Sequence, residues 1–290
     1  MEEVNDIAFR LLCKKAGCGL TYTGMIHPQT KQEIISHATS SGGIERSRLA
    51  GTGRENQKKP LRLFLDDKPS LQLFCTTTKG IKGFMEKHDE KVSLWDFNLG
   101  CPAKTARKKG FGVFLHHDLE SIEEILKTMR ASTKKPLTAK LRKSKYTFKI
   151  LKIVEKYCDA VCIHPRTQQQ GYGGIPDLGF AEKFKSKTKL PVIYSGNVNE
   201  TNAKELLRKF NYIMVGRKAI GNPNIFAKLQ NKKSNLTFND YLKLAEKYKL
   251  PFRQIKFQAM NFTKGLENAK ELRLKIFECK KIKEIEKIFL

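Results

Sequence analysis

Short apolar runs alternate with amphipathic stretches along the first 230 residues of the chain. Residues 118–130 carry apolar side chains at helical spacing, and Asp118 is the predicted N-cap of that helix. Alternating strands and helices predict a parallel sheet, and this many repeats favour a closed barrel of the TIM (β/α)8 type over an open sheet. The α/β fold class follows from seven candidate strands, at Leu20–Gly24, Leu71–Cys75, Val92–Asn98, Leu137–Leu141, Ala160–Ile163, Val192–Ser195 and Tyr212–Val215.

A (β/α)8 barrel needs eight strands, so the pattern predicts that the first strand is missing at the N-terminus. We expect a start site placed too far downstream, or a shortened chain, with a natural protein roughly ten residues longer. Residues Thr39–Pro60 are polar, glycine-rich and basic, and they predict an excursion or flexible loop rather than a barrel element.

The pattern changes after a polar, basic stretch near residues 231–235. From Thr237 to Leu290, apolar side chains recur at helical spacing among many lysines. This pattern predicts a small all-α domain with one apolar face and a basic surface. We therefore predict a catalytic barrel over residues 1–230 and a helical domain over residues 231–290.

The charge balance indicates the kind of partner. Lysine and arginine number 56 against 29 aspartates and glutamates, which gives a net charge of +27. A source organism with generally lysine-rich proteins would also explain this charge. A polyanionic partner explains it better, because each phosphate that the protein neutralises releases counterions. We therefore expect a nucleic-acid partner.

The seven cysteines lie mostly in apolar stretches, and their spacing matches neither a disulfide framework nor paired CxxC zinc motifs. We expect reduced thiols and no metal site. The sequence carries neither a signal-type apolar segment nor a run long enough to span a bilayer. A cytoplasmic protein without a membrane partner is therefore predicted.

The first candidate site is the segment 96–102, which follows a predicted strand and contains Cys101. The carboxyl ends of barrel strands carry the chemistry in this fold. Cys101 differs from the other cysteines because glycine and proline flank it and a basic stretch begins at Lys104. Three interpretations stay open: a loop cysteine without a role, a nucleophile that would need a nearby base, and a proton donor that needs only a protonated thiol.

Two further strands end in residues that could carry chemistry. Lys140 lies inside an apolar strand, where it either extends its ammonium to the strand end or offers a cation to a developing anion. His164 ends the next strand beside Arg166 and a glycine-rich stretch that includes Tyr172. A lone histidine is more often structural than functional, but this position at a strand end favours a functional role.

Two turns after the last two strands favour a phosphate-bearing cofactor. They are Ser195-Gly196-Asn197 and Gly216-Arg217. Loops at these barrel positions often bind phosphate through backbone N–H groups, and Arg217 can add a charge-assisted hydrogen bond. A Rossmann fingerprint and a Walker loop are absent from the sequence. The adjacent His116 and His117 cannot face one metal from a regular helix, and we interpret them as loop residues without a role.

From Met1 to about residue 230 the chain resembles the dihydrouridine synthase family. Asn98 to Lys104 are similar to the family's N-x-GCP-x-K signature. Residues 164–174 are similar to its H-x-RT and QGY-x-G stretch, and residues 215–223 resemble IGR-x-A-x-GNP. This resemblance implies an FMN-binding barrel with a helical tRNA-binding domain, which agrees with the basic C-terminal region. It also implies a flavin-dependent tRNA-dihydrouridine synthase.

The resemblance assigns roles to individual residues. It implies that Cys101 is the general acid, that Asn98 touches the target uracil, and that Arg166, Tyr172 and Lys104 lie at the substrate. The residues implied to bind FMN are Met1, Gln72, Lys140 and His164 at the ring, and Ser195, Gly196, Asn197, Gly216 and Arg217 at the phosphate.

The implied reaction adds hydrogen across the C5=C6 bond of a uridine. C6 accepts a hydride from reduced FMN, and C5 accepts a proton from the Cys101 thiol. NADPH or NADH would reduce the flavin, and the uridine would be flipped out of the tRNA fold. We expect a monomer.

The chain departs from the family pattern at its start, where an A-P-M turn normally lies against the flavin. Only Met1 remains of that turn, which puts Met1 in doubt as a flavin contact. Two rival functions are a flavin-barrel reductase of a small molecule, resembling dihydroorotate dehydrogenase, and a non-catalytic RNA-binding barrel. The charge and the basic helical region argue against the first, and the intact Cys101, Lys140 and His164 argue against the second.

Overall fold

A computed structural model describes residues 4–35 and 62–290 of the chain. Its strands are β1 (Tyr22–Ile26), β2 (Glu33–Ile35), β3 (Arg62–Phe64), β4 (Ser70–Leu73), β5 (Leu94–Leu99), β6 (Leu137–Arg142), β7 (Ala160–His164), β8 (Val192–Ser195) and β9 (Tyr212–Met214). Seven of them form one parallel sheet in the order β1-β4-β5-β6-β7-β8-β9, and β2 pairs with β3 in a separate parallel ribbon.

Helices connect the strands and form the C-terminal region. They are α1 (Ile7–Lys15), α2 (Ile81–His88), α3 (Lys104–Lys109), α4 (Leu119–Ala131), α5 (Thr147–Tyr157), α6 (Leu178–Ser186), α7 (Ala203–Lys209), α8 (Ile225–Leu229), α9 (Phe238–Lys247), α10 (Phe252–Phe262), α11 (Ala269–Glu278) and α12 (Ile282–Glu286). Short 3-10 helices span Asp89–Lys91 and Gly112–Leu115. None of the helices in the described ranges is long and apolar enough to cross a bilayer.

Each of the seven predicted strands is present in the main sheet, within about two residues of its predicted bounds. The side chains of β4, and of β5 after Leu94, are buried on both faces, whereas no residue of the edge strand β9 is buried. Helices on the outer face explain this pattern, because a parallel sheet is covered on both sides. The helix predicted after Asp118 is α4, and the Asp118 carboxylate caps it by accepting a hydrogen bond from the Ser121 N–H at 3.0 Å.

The sheet follows the strand order of a (β/α)8 barrel with one strand fewer. β1 and β9 are its two edges. Within residues 4–35 and 62–290, no strand lies between these edges to close the sheet. The predicted α/β fold class, a parallel sheet with barrel strand order and a helical C-terminal region, is confirmed. The predicted excursion at Thr39–Pro60 lies outside the described residues.

The C-terminal helices share a hydrophobic core with the start of the chain. Phe9 and Leu12 of α1 pack with Phe238, Tyr241 and other apolar side chains of α9 and α10. The Gln258 side chain on α10 donates to the backbone oxygen of Val4 at 2.8 Å and to the Asp6 carboxylate at 2.7 Å. Because α1 belongs to this core, the helical region includes residues on both sides of position 230, and the division at 230 stays a prediction.

Candidate active site

The parallel strands surround a cavity of about 1520 Å³ that reaches from their amino ends, at residues such as Pro136 and Pro191, to the turns that follow their carboxyl ends. Lys104 is exposed on α3 and is not among the residues that line the cavity. Met1 lies outside the described residues. The other predicted site residues all line the cavity: Gln72, Asn98, Cys101, Lys140, His164, Arg166, Tyr172, Ser195, Gly196, Asn197, Gly216 and Arg217.

Cys101 is half-buried in a loop that local contacts hold closely. The Asn98 side-chain oxygen accepts hydrogen bonds from the Gly100 N–H at 3.1 Å and the Cys101 N–H at 3.0 Å. Gly112 lies against the same loop with φ of +67°, and a Cβ at this position would be 2.7 Å from the Cys101 backbone oxygen. Only glycine fits there, so the 3-10 helix that begins at Gly112 fixes the path of the Cys101 loop.

His116 holds the same region from the other side. Its Nε2 donates to the Leu99 backbone oxygen at 2.6 Å, and its Nδ1 lies 2.7 Å from the Ser144 hydroxyl. Burial lowers the pKa of His116 to about 4, so the ring is neutral at physiological pH. The interpretation of this histidine as a loop residue without a role is wrong for His116, which is buried, whereas His117 is exposed.

Arg142 at the end of β6 joins two loops of the site, a role that the sequence did not predict. Its Nε donates to the Gly100 backbone oxygen at 3.0 Å. Its Nη1 donates to the backbone oxygens of Thr167 at 2.9 Å and Gly171 at 2.8 Å. The guanidinium carbon also lies 5.9 Å from the centre of the Tyr172 ring. An arginine two residues after Lys140 in an apolar strand is the signal that could have revealed it.

His164 and Arg166 form a buried pair at the end of β7. Arg166 Nη1 donates to His164 Nε2 at 3.0 Å, so the imidazole proton lies on Nδ1. Burial lowers the pKa of His164 to about 2, and the charges of Lys140, Arg142, Arg166 and Arg217 lower it further in that order of size. His164 is therefore a neutral hydrogen-bond donor through Nδ1.

The guanidinium of Arg166 makes further hydrogen bonds inside the protein. It donates to the backbone oxygens of Gly173 at 2.8 Å and Gly174 at 2.7 Å, and to the Asn197 side chain at 3.0 Å. Arg166 is 1% exposed. These contacts favour a role in holding the 164–174 segment over direct contact with a substrate.

The two glycine turns meet at Asn197 and Arg217. Arg217 Nη2 donates to Asn197 Oδ1 at 2.7 Å, and Arg217 Nη1 donates to the Tyr172 backbone oxygen at 3.0 Å. The Tyr172 ring is 58% exposed and lies 5.9 Å from the guanidinium carbon of Arg217. The turns after β8 and β9 are therefore neighbours, and Arg217 connects them to the segment that carries Tyr172.

Lys140 projects from β6 into the cavity and is half-buried. Within the described part of the chain, its ammonium has no hydrogen-bond or ion-pair partner. Its positive charge contributes to the low pKa of His164. Of the two interpretations left open for Lys140, the one in which it offers a cation to a ligand agrees with this placement.

The donor groups of the cavity fit FMN. A phosphate needs backbone N–H groups and a cation, and the turns at Ser195–Asn197 and Gly216–Arg217 bring both together. A Cβ at Gly216 would meet no atom within 4 Å, so its backbone faces open space. Gln72, Lys140 and His164 line the same cavity and offer an amide, a cation and a neutral imidazole to a heterocyclic ring.

Comparison with known proteins shows which family the chain resembles in sequence. The model of the dihydrouridine synthase (Dus) family matches residues 1–289. A probable tRNA-dihydrouridine synthase of Rickettsia bellii is 28% identical over 263 residues, which cover 87% of this chain and 72% of the relative. The tRNA-dihydrouridine synthase B of Pectobacterium carotovorum is 24% identical over 244 residues. The aligned region covers 80% of this chain and 70% of the relative.

Among solved structures, histamine dehydrogenase from Rhizobium sp. 4-9 is similar to this chain with a TM-score of 0.45 and 12% identity. The likeness covers 79% of this chain and 40% of the dehydrogenase.

Proposed function

This chain belongs to the dihydrouridine synthase family, and from that membership we propose that it reduces the C5=C6 bond of uridines in tRNA to 5,6-dihydrouridine with FMN as cofactor. The observation that carries the proposal is the convergence of Cys101, Lys140 and His164 with the two glycine turns on a single cavity. The reductant is NADPH or NADH, as predicted from the resemblance.

The proposed FMN contacts follow from the donor groups. Lys140 would bring a positive charge to the ring, and His164 would donate from Nδ1 because its Nε2 is occupied by Arg166. Gln72 would add an amide. The proposed phosphate contacts are Ser195, Gly196, Asn197, Gly216 and Arg217.

The chemistry that FMN supplies when bound is a hydride, which C6 of the uracil accepts. The protein supplies the other hydrogen: the Cys101 thiol donates its proton to C5, which leaves a thiolate that solvent reprotonates. Asn98 and Gly112 hold the Cys101 loop, so the thiol is in place before the substrate arrives. Arg142 donates hydrogen bonds to both this loop and the segment that carries Tyr172, and so fixes their relative position.

The net charge of +27 supports a tRNA substrate. A uridine inside a folded tRNA must leave its stack to reach a cavity at the strand ends. The exposed lysines and arginines of α3, which begins at Lys104, would bind phosphates beside the Cys101 loop, and the basic helical region would bind phosphates farther away. A cytoplasmic location and a monomeric state remain part of the proposal.

The test is a single-turnover experiment on photoreduced flavoprotein mixed with unmodified tRNA under anaerobic conditions. We expect rapid flavin oxidation and formation of dihydrouridine by the wild type. Cys101→Ala removes the proton donor, so its rate should fall by roughly 10²–10⁴-fold.

Cys18→Ala is the matched control, because Cys18 is the other half-buried cysteine among the described residues. It should retain the wild-type rate. Flavin oxidation only when oxygen is admitted, with no dihydrouridine from the wild type, would show that tRNA is not the substrate.

A further inference from the structure

A fully buried carboxylate lies in the sheet beneath the Cys101 loop. Asp96 is 0% exposed on β5, directly opposite Gln72 on β4 and Thr138 on β6. Gln72 Nε2 donates to Asp96 Oδ2 at 2.5 Å, and Thr138 Oγ1 donates to Asp96 Oδ1 at 2.5 Å. Both carboxylate oxygens therefore accept a hydrogen bond, which a buried charge requires.

Two amides connect this carboxylate to the loop of the general acid. Asn98 Nδ2 donates to Gln72 Oε1 at 2.7 Å, and Asn98 Oδ1 accepts from the Cys101 N–H at 3.0 Å. We call Asp96, Gln72 and Asn98 the amide chain. Every hydrogen bond in it has its donor on the Cys101 side and its acceptor on the Asp96 side.

The two ends of the amide chain determine its direction. The N–H of Cys101 can only donate, and an ionised carboxylate can only accept. If the Gln72 amide rotated by half a turn, its NH2 group would face the NH2 group of Asn98. If both amides rotated, Asn98 would present its NH2 group to the Cys101 N–H. Only the observed arrangement pairs every donor with an acceptor.

Charge supports the acceptor role of Asp96. Burial raises the pKa of Asp96 to about 6, against the hydrogen bonds from Thr138 and Gln72 and the charge of Lys140, which lower it. The carboxyl is therefore ionised at pH 7.5 and above. The other titratable groups that act on it or respond to it are Lys140 on β6, Cys162 on β7, Cys158 before β7 and Tyr22 on β1.

We infer that Asp96 is a positioning residue for the reaction: it fixes the amide orientations of Gln72 and Asn98 and through them the loop that presents Cys101. The inference rests on the proposed function and deepens it. Asp96 itself touches neither the loop nor a reacting atom. Its contribution is to define which way each amide points, so that the thiol meets C5 in a single geometry.

Isosteric variants separate orientation from charge. In Asp96→Asn, the new amide oxygen can accept from Gln72 while its NH2 group donates to the Thr138 hydroxyl, so the direction of the amide chain is kept. Thr138→Val removes the hydrogen bond from Thr138 to Asp96 and the interaction of Thr138 with Tyr22, but it leaves the hydrogen bond from Gln72 to Asp96. Each single variant should oxidise reduced flavin with unmodified tRNA within about threefold of the wild-type rate.

The double variant Asp96→Asn/Thr138→Val should differ from both. Its buried NH2 group loses the Thr138 acceptor and competes for Gln72 Oε1, so the direction of the amide chain is held from the Cys101 end alone. We expect a fall of at least roughly tenfold in the single-turnover rate at pH 7.5, more than the product of the two single effects. The solvent deuterium isotope effect should also rise, because proton delivery from a misplaced Cys101 becomes the slow step.

Each outcome decides the inference. Multiplicative effects of the two substitutions, or a slower double variant with an unchanged isotope effect, would overturn it. A large loss in Asp96→Asn alone would also overturn it, because the charge rather than the orientation would then matter. Flavin absorbance and far-UV circular dichroism report whether each variant is folded and loaded. Failure of the wild type to form dihydrouridine would contradict the proposed function instead.

Discussion

Two adjacent histidines beside the site lie in opposite environments. His116 is 2% exposed and bonded on both ring nitrogens, whereas His117 is exposed. The folded protein keeps His116 neutral, and the unfolded chain would protonate it at its ordinary pKa of 6.5. Folding stability linked to His116 is therefore fully present above pH 6.5 and is lost as the pH falls towards 4.

This difference predicts how unfolding depends on pH. His116→Gln should unfold more easily at pH 7.5, but its free energy of unfolding should fall less on acidification, by up to about 3 kcal/mol between pH 6.5 and 4. Urea unfolding at a series of pH values measures this, with His117→Gln as the control that keeps the wild-type pH dependence. Parallel pH profiles for His116→Gln and the wild type would contradict the assignment.

The residues that face the cavity were predictable because they follow strands at positions where the fold concentrates chemistry. Cys101, Lys140 and His164 are of this kind. The residues that support them were not predictable from single positions. Arg142 bonds to backbone atoms up to 42 residues before it and 29 after it, and Asp96 acts through Gln72, which lies on another strand. Such roles depend on strand register, which local sequence does not contain.

At the scale of elements, the Cys101 loop is held between β5 and the helices that follow it. α3 begins three residues after Cys101, and the 3-10 helix at Gly112–Leu115 returns the chain to the loop. The Val113 N–H donates to the Cys101 backbone oxygen at 3.3 Å. The position of the thiol therefore depends on how closely this return approaches.

Gly112→Ala should lower both the activity and the stability of the protein. The added Cβ would lie 2.7 Å from the Cys101 oxygen at a backbone angle that alanine rarely adopts, so the loop must shift. We expect a loss of roughly 100-fold in single-turnover rate and a destabilisation of about 1–3 kcal/mol. Gly83→Ala on α2 is the control, because its Cβ meets no atom within 4 Å. It should keep full activity; an equal loss in both variants would refute the idea.

The main strands were predictable because each is an apolar run bounded by polar residues, and the structure places all seven in the sheet. β2 and β3 were missed, since each has three residues with at most one buried. α1 was missed for another reason. Its apolar face is visible in the sequence, but the side chains that cover this face lie in the C-terminal helices, more than 200 residues later.

At the scale of the whole molecule, the net charge of +27 predicts binding that depends strongly on salt. Lys104→Ala should weaken tRNA binding and reduce the slope of log Kd against log salt concentration by roughly 0.7–0.9, the value of a single phosphate contact. Lys187→Ala is the control. Lys187 is exposed after α6 and is not among the residues that line the cavity. Equal slopes for Lys104→Ala and the wild type would exclude a phosphate contact at Lys104.

The core shared by α1 and the C-terminal helices has a consequence for the order of events during synthesis. The Gln258 side chain that bonds to Val4 emerges from the ribosome 254 residues later. At a synthesis rate of about 5–20 residues per second, roughly 13–50 s pass between the synthesis of α1 and that of this partner. The barrel strands can begin to pair in that interval, but the apolar face of α1 stays uncovered. The apolar face of α1 is therefore open to aggregation until α9 and α10 have been synthesised.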